Sequence, residues 1–286
     1  MSGEPRDPAA VCAQIVHASG SNFTLALRFL PKRQREAMYA IYAFCRKTDD
    51  IVDSDGAESA KRETLTKWRA MLENGASDPV IQATAQAVND FDLDTADLHA
   101  VIDGCEMDLA DLRFDSQEEL ESYCDKVAGA VGHLCLGVWG LRGEKARELS
   151  QTLGRAVQLT NIIRDVGEDA KCGRIYIPRD LLGAVGGGVQ ESEILGGAMT
   201  DNIRHCLRDM TAEAMKHYEW AGRIIEDLTS RERRSIWPAL IILRIYRRLL
   251  RHIHDQDYPV FERKVRVRSS TKALIAARVY WGRFLP

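Results

Sequence analysis

Two short acidic segments carry the residue types best suited to chemistry. Each contains an Asp-x-x-x-Asp pattern, Asp49 and Asp53 in the first segment and Asp165 and Asp169 in the second. Positions i and i+4 of a helix differ by only about 40° around its axis, so both carboxylates of a pair share one helix face. Like charges at this spacing destabilise a helix, whereas a divalent cation turns the repulsion into a binding site.

The residues around each acidic pair support a metal and phosphate site. Tyr42 and Arg46 fall within an arc of about 60° with the first pair, and Gln158 and Asn161 fall within about 80° with the second. Oxygen ligands of this kind suit Mg²⁺, which keeps several waters and bridges to substrate phosphates. Arg46 and Arg164 are placed to bind phosphate oxygens or to hold the carboxylates in register. The pairs repeat at matching separations, which predicts two matching helices that face each other.

The elements that position these residues are predicted to be helices. No proline lies between Pro79 and Pro178, and the chain almost lacks the alternating β-branched runs of strands. Proline costs about 3 kcal/mol inside a helix, so long intervals without it favour helices. We therefore predict an all-α fold in a single domain over residues 1–286. The predicted helices are approximately Lys32–Val52, Ser59–Leu72, Pro79–Asn89, Thr95–Leu112, Gln117–Leu141, Glu144–Glu168, Thr200–Leu228, Ser230–His254 and Ser270–Trp281.

One glycine-rich stretch interrupts the helical pattern, and a second stretch of small residues lies within a predicted helix. Residues 183–197 are rich in glycine but lack the Gly-Lys-Ser/Thr ending of a phosphate-binding loop, so a flexible surface loop is predicted. Small residues within Val127–Gly140 have two interpretations, close helix packing or a groove left open by the missing side chains.

Composition excludes several classes of protein. Apolar residues make up 45% of the chain and charged residues 28%, which is ordinary for a soluble globular protein and not for a membrane-spanning one. The net charge of −3 gives no general attraction to nucleic acid. The seven cysteines form no Cys-x-x-Cys pair, and no signal peptide is visible, so we expect reduced thiols in a cytoplasmic protein.

Taken together, these motifs resemble the squalene and phytoene synthase family, whose members join two prenyl diphosphates head to head. Residues 19–23 and 102–109 look most like the bacterial presqualene diphosphate synthase branch. The resemblance covers almost the whole chain, in the segments Ser19–Phe23, Tyr39–Arg46, Gly104–Leu109, Tyr123–Gly132, Gln158–Asp169 and Gly173–Pro178.

The resemblance implies a helical bundle of the isoprenoid-synthase type around a central cavity. It implies Mg²⁺ as the cofactor, with Mn²⁺ as an alternative, and no use of NADPH. Asp108 matches an acidic position of the family pattern, although charged helical residues are usually solvated. The implied metal ligands are Asp49, Asp53, Asn161, Asp165 and Asp169. The implied diphosphate ligands are Ser19, Ser21, Arg46 and Arg164. The implied lining of the reaction centre is Tyr42, Tyr123, Gln158 and Tyr246.

The implied reaction joins two farnesyl diphosphates into presqualene diphosphate, within squalene, hopanoid or C30 carotenoid biosynthesis. Alternatives are a phytoene synthase acting on geranylgeranyl diphosphate, a squalene or dehydrosqualene synthase, and a cyclase-like enzyme with one substrate. A non-catalytic helical binding protein is the alternative from another class. The expected partners are prenyl diphosphates, without nucleic acid, and a peripheral contact with the inner face of the membrane for product release. Lys264, Arg266 and Arg268 have two interpretations, closure over diphosphate or contact with anionic lipid.

Overall fold

The computed structural model describes residues 7–19, 27–110 and 112–282 of the chain. Within these ranges every regular element is helical and no strand occurs, which confirms the predicted all-α fold. The helices are α1 Pro8–Ala18, α2 Lys32–Asp53, α3 Glu58–Asn74, α4 Pro79–Phe91, α5 Thr95–Met107, α6 Gln117–Cys124, a π-helical segment Asp125–Gly129, α7 Ala130–Trp139, α8 Glu144–Lys171, α9 Arg179–Ala184, α10 Glu191–Leu195, α11 Asp201–Glu226, α12 Ser230–Ser235, α13 Trp237–Asp255 and α14 Ser269–Gly282.

Side chains and glycines mark several helix ends. The Asp78 carboxylate accepts a hydrogen bond of 2.8 Å from the backbone N–H of Val80, and Pro79 occupies the first turn of α4. This arrangement satisfies an N–H group that would otherwise lack a partner at the helix start. At the C-terminal end of α7, Gly140 adopts φ 89°, a left-handed conformation that favours glycine.

The prediction of one continuous helix over Ser230–His254 is wrong. This segment divides at Ile236 into α12 and α13, with Pro238 in the first turn of α13. Proline lacks a backbone N–H and its ring clashes with the carbonyl four residues earlier, so the second helix has to begin afresh just before it.

Two other predicted helices are shorter than expected. The helix predicted over Thr95–Leu112 ends at Met107, beyond which Phe114 is buried against the ring of Tyr123. The helix predicted over Gln117–Leu141 contains the π-helical segment and ends at Trp139. In the second helix the π-helical segment packs tightly against α8, where tertiary contacts outweigh local helix propensity.

Helix α8 contacts several other elements. It packs against α7, the π-helical segment, α11 and α13, while α2 packs against α1, α4 and α5. Gly154 of α8 meets Gly129 so closely that a Cβ atom at Gly154 would lie 2.6 Å from the Gly129 nitrogen. The small residues of this region therefore do allow close helix packing, the first of their two interpretations.

The glycine-rich stretch contains more regular structure than its sequence indicates. Helix α10 lies within residues 183–197, and Val185, Val189 and Ile194 are buried. The flexibility of this loop stays a prediction, as does the single domain. All seven cysteines are free thiols. Across the described residues, no helix combines the length and apolar content needed to cross a bilayer.

The contact between Gly154 and Gly129 predicts a specific sensitivity to a single methyl group. We expect Gly154→Ala to lower the free energy of unfolding by about 1–3 kcal/mol, because the new Cβ atom overlaps backbone atoms that cannot rotate away. Gly222→Ala in α11 is the matched control, since no atom lies within 4 Å of its added Cβ atom. The control should raise stability by up to about 1 kcal/mol. Equal urea midpoints for Gly154→Ala and wild type would contradict the prediction.

Candidate active site

The first acidic pair lies in the last turns of α2. The Cys105 thiol of α5 donates a hydrogen bond of 3.3 Å to Asp49 Oδ1. Arg174 donates to Asp53 Oδ1 over 3.3 Å, from the segment that follows α8. The predicted helix therefore delivers both carboxylates to one place, and side chains from two other parts of the chain meet them there.

The second acidic pair lies near the end of α8. Arg164 donates two hydrogen bonds to the Asp165 carboxylate, one of them 2.8 Å from Nε to Oδ1. Lys264 Nζ lies 3.0 Å from Asp165 Oδ1 and 2.5 Å from Glu168 Oε2. Burial acts to raise the pKa of Asp165, but Arg164 and Lys264 hold the pKa below its ordinary value. Asp165 is therefore ionised and already paired with two cations.

Asp108 lies between the two acidic pairs. Its carboxylate accepts hydrogen bonds from the Tyr123 hydroxyl at 3.0 Å and from the Tyr176 hydroxyl at 3.0 Å. Burial raises the pKa of Asp108, and its charge in turn raises the pKa of both Asp49 and Asp169. Since one carboxylate acts on both pairs, the two acidic segments share a single site.

Two carboxylates of this site lack a strong compensating cation. Desolvation, with the charges of Asp53 and Asp108, raises the pKa of Asp49 to about 6. Desolvation, with the charges of Asp165 and Asp108, raises the pKa of Asp169 to about 7. Clustered carboxylates of raised pKa mark a place where positive charge is missing, and functional sites concentrate such groups.

Asn161 supplies a further oxygen one helical turn before Asp165. Its amide donates to Gln158 Oε1 over 3.3 Å, whereas its own Oδ1 atom is buried and accepts no hydrogen bond from the described residues. A buried oxygen without a donor costs free energy unless a ligand or an ion satisfies it. The unpaired oxygen and the two carboxylates of raised pKa are a candidate oxygen donor set, of the chemical kind that binds Mg²⁺ or Mn²⁺, and their binding to one ion stays a prediction.

An apolar cavity of about 230 Å³ begins beside this donor set. Gln158, Asn161 and Tyr246 form its polar end. On α8 its lining extends from Asn161 to Leu149, which corresponds to about 18 Å along a helix. At the far end lies Trp139, which is 3% exposed. Ala128 and Gly132 also line the cavity, so the small-residue stretch contributes to a groove as well as to close packing.

Several predicted residues lie in or beside this site. Tyr246 lies close enough to Arg164, Asp165 and Tyr42 for their charges to affect its pKa, which burial raises. Tyr123 is present through its hydrogen bond to Asp108. These positions agree with the predicted reaction centre, but the chemical roles of the residues stay predictions.

The remaining predicted diphosphate ligands have other partners or are not described. Arg46 forms an ion pair of 2.8 Å with Asp50, the aspartate beside the metal-binding pattern. Ser19 ends α1, and its hydroxyl donates to the carbonyl of Val16 over 2.8 Å. Ser21 lies outside the described residues. The contact of all three residues with diphosphate stays a prediction.

Sequence reasoning assigned no role to three residues that the structure brings to the site, Cys105, Arg174 and Tyr176, and left the role of Lys264 open. Three of them lie in segments that carry the family resemblance, but the sequence did not indicate which residues they contact. Lys264 was assigned either to diphosphate or to lipid, and its contacts with Asp165 and Glu168 place it at the acidic site.

A second set of potential metal ligands lies elsewhere. Ligand atoms of Glu121, Glu213 and His217 lie within 4.8 Å of one another. Arg155 donates to Glu121 over 2.6 Å, and Lys216 to Glu213 over 2.7 Å. The carboxylates of this set are already paired with cations, so the set acts as an ion network between helices rather than as an alternative to the aspartate site.

Comparison with known proteins agrees with this geometry. The family model described as squalene/phytoene synthase matches residues 16–271 of the chain. A presqualene diphosphate synthase of Rhodopseudomonas palustris is 40% identical over 73% of this chain and 75% of its own length. A phytoene synthase of Solanum lycopersicum is 33% identical over 96% of this chain and 90% of its own length. The crystal structure of a dehydrosqualene synthase in complex with ligand superposes with a TM-score of 0.83, covering 98% of this chain and 97% of that one at 28% identity.

The uncompensated carboxylates predict that a divalent cation stabilises the fold. We expect Mg²⁺ to raise the melting temperature and EDTA to reverse the change, because a ligand that binds only the folded state stabilises it, by about 2.7 kcal/mol at 100 times its Kd. Asp49→Asn and Asp53→Asn should each reduce this shift. Asp50→Asn is the matched control and should retain it, because Asp50 pairs with Arg46. Equal Mg²⁺ shifts in all three variants and wild type would show that the aspartate pair does not bind the ion.

Proposed function

The chain belongs to the squalene/phytoene synthase family, and we propose that it joins two farnesyl diphosphates head to head into presqualene diphosphate. The family condenses prenyl diphosphates, and the chain is a prenyltransferase rather than a non-catalytic binding protein. The observation that carries the proposal is the meeting of two acidic helix ends at the mouth of one apolar cavity. Such a site suits a substrate with a polyanionic head and a hydrocarbon tail.

We propose that Asp49, Asp53, Asp165 and Asp169, with Asn161, hold Mg²⁺, or Mn²⁺ in its place. The unpaired oxygen of Asn161 and the raised pKa values of Asp49 and Asp169 fit an oxygen-bound cation. The bound ion would supply positive charge opposite the departing diphosphate. In its absence Arg164, Lys264 and Arg174 partly neutralise the carboxylates.

These same cations are candidates for diphosphate binding. Arg164 and Lys264 lie together against Asp165, and a diphosphate entering the site would offer them further oxygens. We assign the same role to Arg46, Ser19 and Ser21 on the strength of the family resemblance. Groups that face the charge developing on the leaving oxygen lower the barrier to ionisation.

We propose that the reaction begins when the C1–O bond of one farnesyl diphosphate breaks and diphosphate leaves with the electron pair. The C2–C3 double bond of the second farnesyl diphosphate then attacks the allylic cation. The new bond joins C2 of the second substrate to C1 of the first and leaves a tertiary cation at C3. The departed diphosphate takes a proton from C1 of the first farnesyl group, the electrons of that C–H bond close the cyclopropane onto C3, and the second diphosphate is retained. Tyr42, Tyr123, Tyr246 and Gln158 line the reaction centre, where aromatic faces stabilise the cation and exclude water.

We propose that the product is presqualene diphosphate and that no NADPH is used. The identity to the presqualene diphosphate synthase of Rhodopseudomonas palustris supports this choice. The cavity volume of about 230 Å³ lies below the usual range of roughly 300–1,000 Å³ for ligand pockets, which favours one tail of modest length there. Phytoene synthesis is the second candidate, because the similarity to the tomato phytoene synthase extends over nearly the whole chain. We place the enzyme in the cytoplasm, at the inner face of the membrane that receives its oily product.

The product can be tested directly. Purified protein with Mg²⁺ and farnesyl diphosphate should form presqualene diphosphate, with and without NADPH, and release one diphosphate for each product molecule. Asp165→Asn should abolish diphosphate release. Phytoene formed from geranylgeranyl diphosphate, with farnesyl diphosphate a poor substrate, would replace the proposal with the second candidate. Squalene that forms only with NADPH would leave the condensation standing and reject the proposed end point.

Trp139 at the far end of the cavity predicts how chain length is selected. We expect Trp139→Ala to favour geranylgeranyl diphosphate, raising its kcat/KM relative to farnesyl diphosphate by about tenfold or more, because a longer tail gains room. Trp139→Phe is the conservative control and should keep the wild-type preference. If the alanine variant remains folded and its preference is unchanged, another part of the cavity sets the length.

A further inference from the structure

Helix α14 carries apolar side chains on two opposite faces. Ala276 and Val279 are buried on the face toward the rest of the protein, where α14 packs against α13. Leu274 and Trp281 lie seven residues apart, hence within about 20° of each other around the helix, on the opposite face. Their exposed fractions are 51% and 69%. A helix that is apolar on both faces calls for a second surface to cover its outer face.

Phe29 extends this exposed face from another part of the chain. Its ring is 54% exposed and lies 5.6 Å from the ring of Tyr280, which lies 6.0 Å from the ring of Trp281. Phe29, Leu274 and Trp281 are here called the α14 patch. Among the described residues, half of the large exposed apolar side chains belong to it. Exposed apolar groups that cluster in this way mark an interaction surface.

The surroundings of the α14 patch are strongly basic. No Asp or Glu follows Glu262 in the sequence, whereas arginine and lysine recur throughout that stretch. Arg266 and Arg268 alternate with buried valines and are exposed, and Arg278 lies about 40° from Leu274 around α14. These three arginines form no ion pair with any described residue. The patch therefore has an uncompensated positive border.

We propose that the α14 patch docks onto an anionic lipid bilayer. Trp281, Leu274 and Phe29 enter the boundary between headgroups and acyl chains, and the arginines bind lipid phosphates. The excess of positive charge beside the aromatic side chains matches a lipid phosphate surface better than a second copy of this chain, which would bring the same charge. The inference holds whichever prenyl diphosphates react.

The location of the α14 patch suits delivery of an oily product. Helix α13 contacts α14 and also supplies Ala239 and Ile242 to the wall of the apolar cavity. The Trp237 ring at the start of α13 lies 5.5 Å from the Tyr280 ring. Docking of α14 would therefore leave only the helix pair of α13 and α14 between the cavity and the lipid.

Vesicle flotation of the full chain tests this surface. We expect wild type to float with vesicles of equal parts phosphatidylcholine and phosphatidylglycerol, and to bind pure phosphatidylcholine at least about tenfold less. Leu274→Ser with Trp281→Ser should reduce binding to the anionic vesicles by about tenfold or more. Arg266→Gln with Arg278→Gln should reduce it by about fivefold per arginine, and added salt should weaken wild-type binding.

Trp220→Ser is the matched control and should bind vesicles like wild type, because Trp220 is 58% exposed on α11 and its indole N–H donates to Glu148 of α8, neither of which belongs to the patch. Circular dichroism and melting temperature identify any variant that fails to fold, and the arginine pair then carries the test. Equal binding to both lipid mixtures, or unchanged binding in the two double variants, overturns the proposal. A wild-type dimer in sedimentation equilibrium that the Leu274 and Trp281 changes dissociate would overturn it in favour of a self-interface.

Discussion

Repulsion among carboxylates that the fold holds together is the constraint on which the rest of this structure depends. Asp49, Asp108 and Asp169 come from three different helical regions; burial raises the pKa of each, and the charge of Asp108 further raises the pKa of Asp49 and of Asp169. Such an arrangement opposes folding, so apolar packing elsewhere has to compensate for it. Arg164, Arg174 and Lys264 relieve only part of the repulsion. The remainder is electrostatic repulsion that a bound cation would relieve.

Helix α8 connects the acidic site with the apolar cavity. Its last turns carry the acidic pair, its middle supplies Gln158 and Asn161, and its first half lines the cavity down to Leu149. The close approach of Gly154 to Gly129 keeps the neighbouring helix against this same stretch. One helix therefore runs from the second acidic pair along the wall of the apolar cavity, which Trp139 also lines.

Local periodicity was sufficient to predict the all-α fold and the two acidic faces, because a spacing of four residues has the same meaning in any helix. Pro238 indicated the break at Ile236, but the strong apolar pattern on both sides of it favoured one continuous helix. The sequence assigned no role to Arg174 and left the roles of Asp108 and Lys264 open, since each contacts partners on another element. The role of Trp139 depends on a cavity that exists only after three helices pack.

Charge segregation connects the acidic site to the opposite, basic part of the chain. Although the net charge of the chain is −3, the stretch after Glu262 has no acidic residue. That stretch begins at the acidic site, where Lys264 contacts Asp165, and continues through Arg266 to the outer face of α14. The alternation of buried valines with exposed arginines keeps the cationic side chains on the solvent side of an apolar anchor. Cationic and apolar side chains thus follow one another along a single segment, from the acidic site to the outer face of α14.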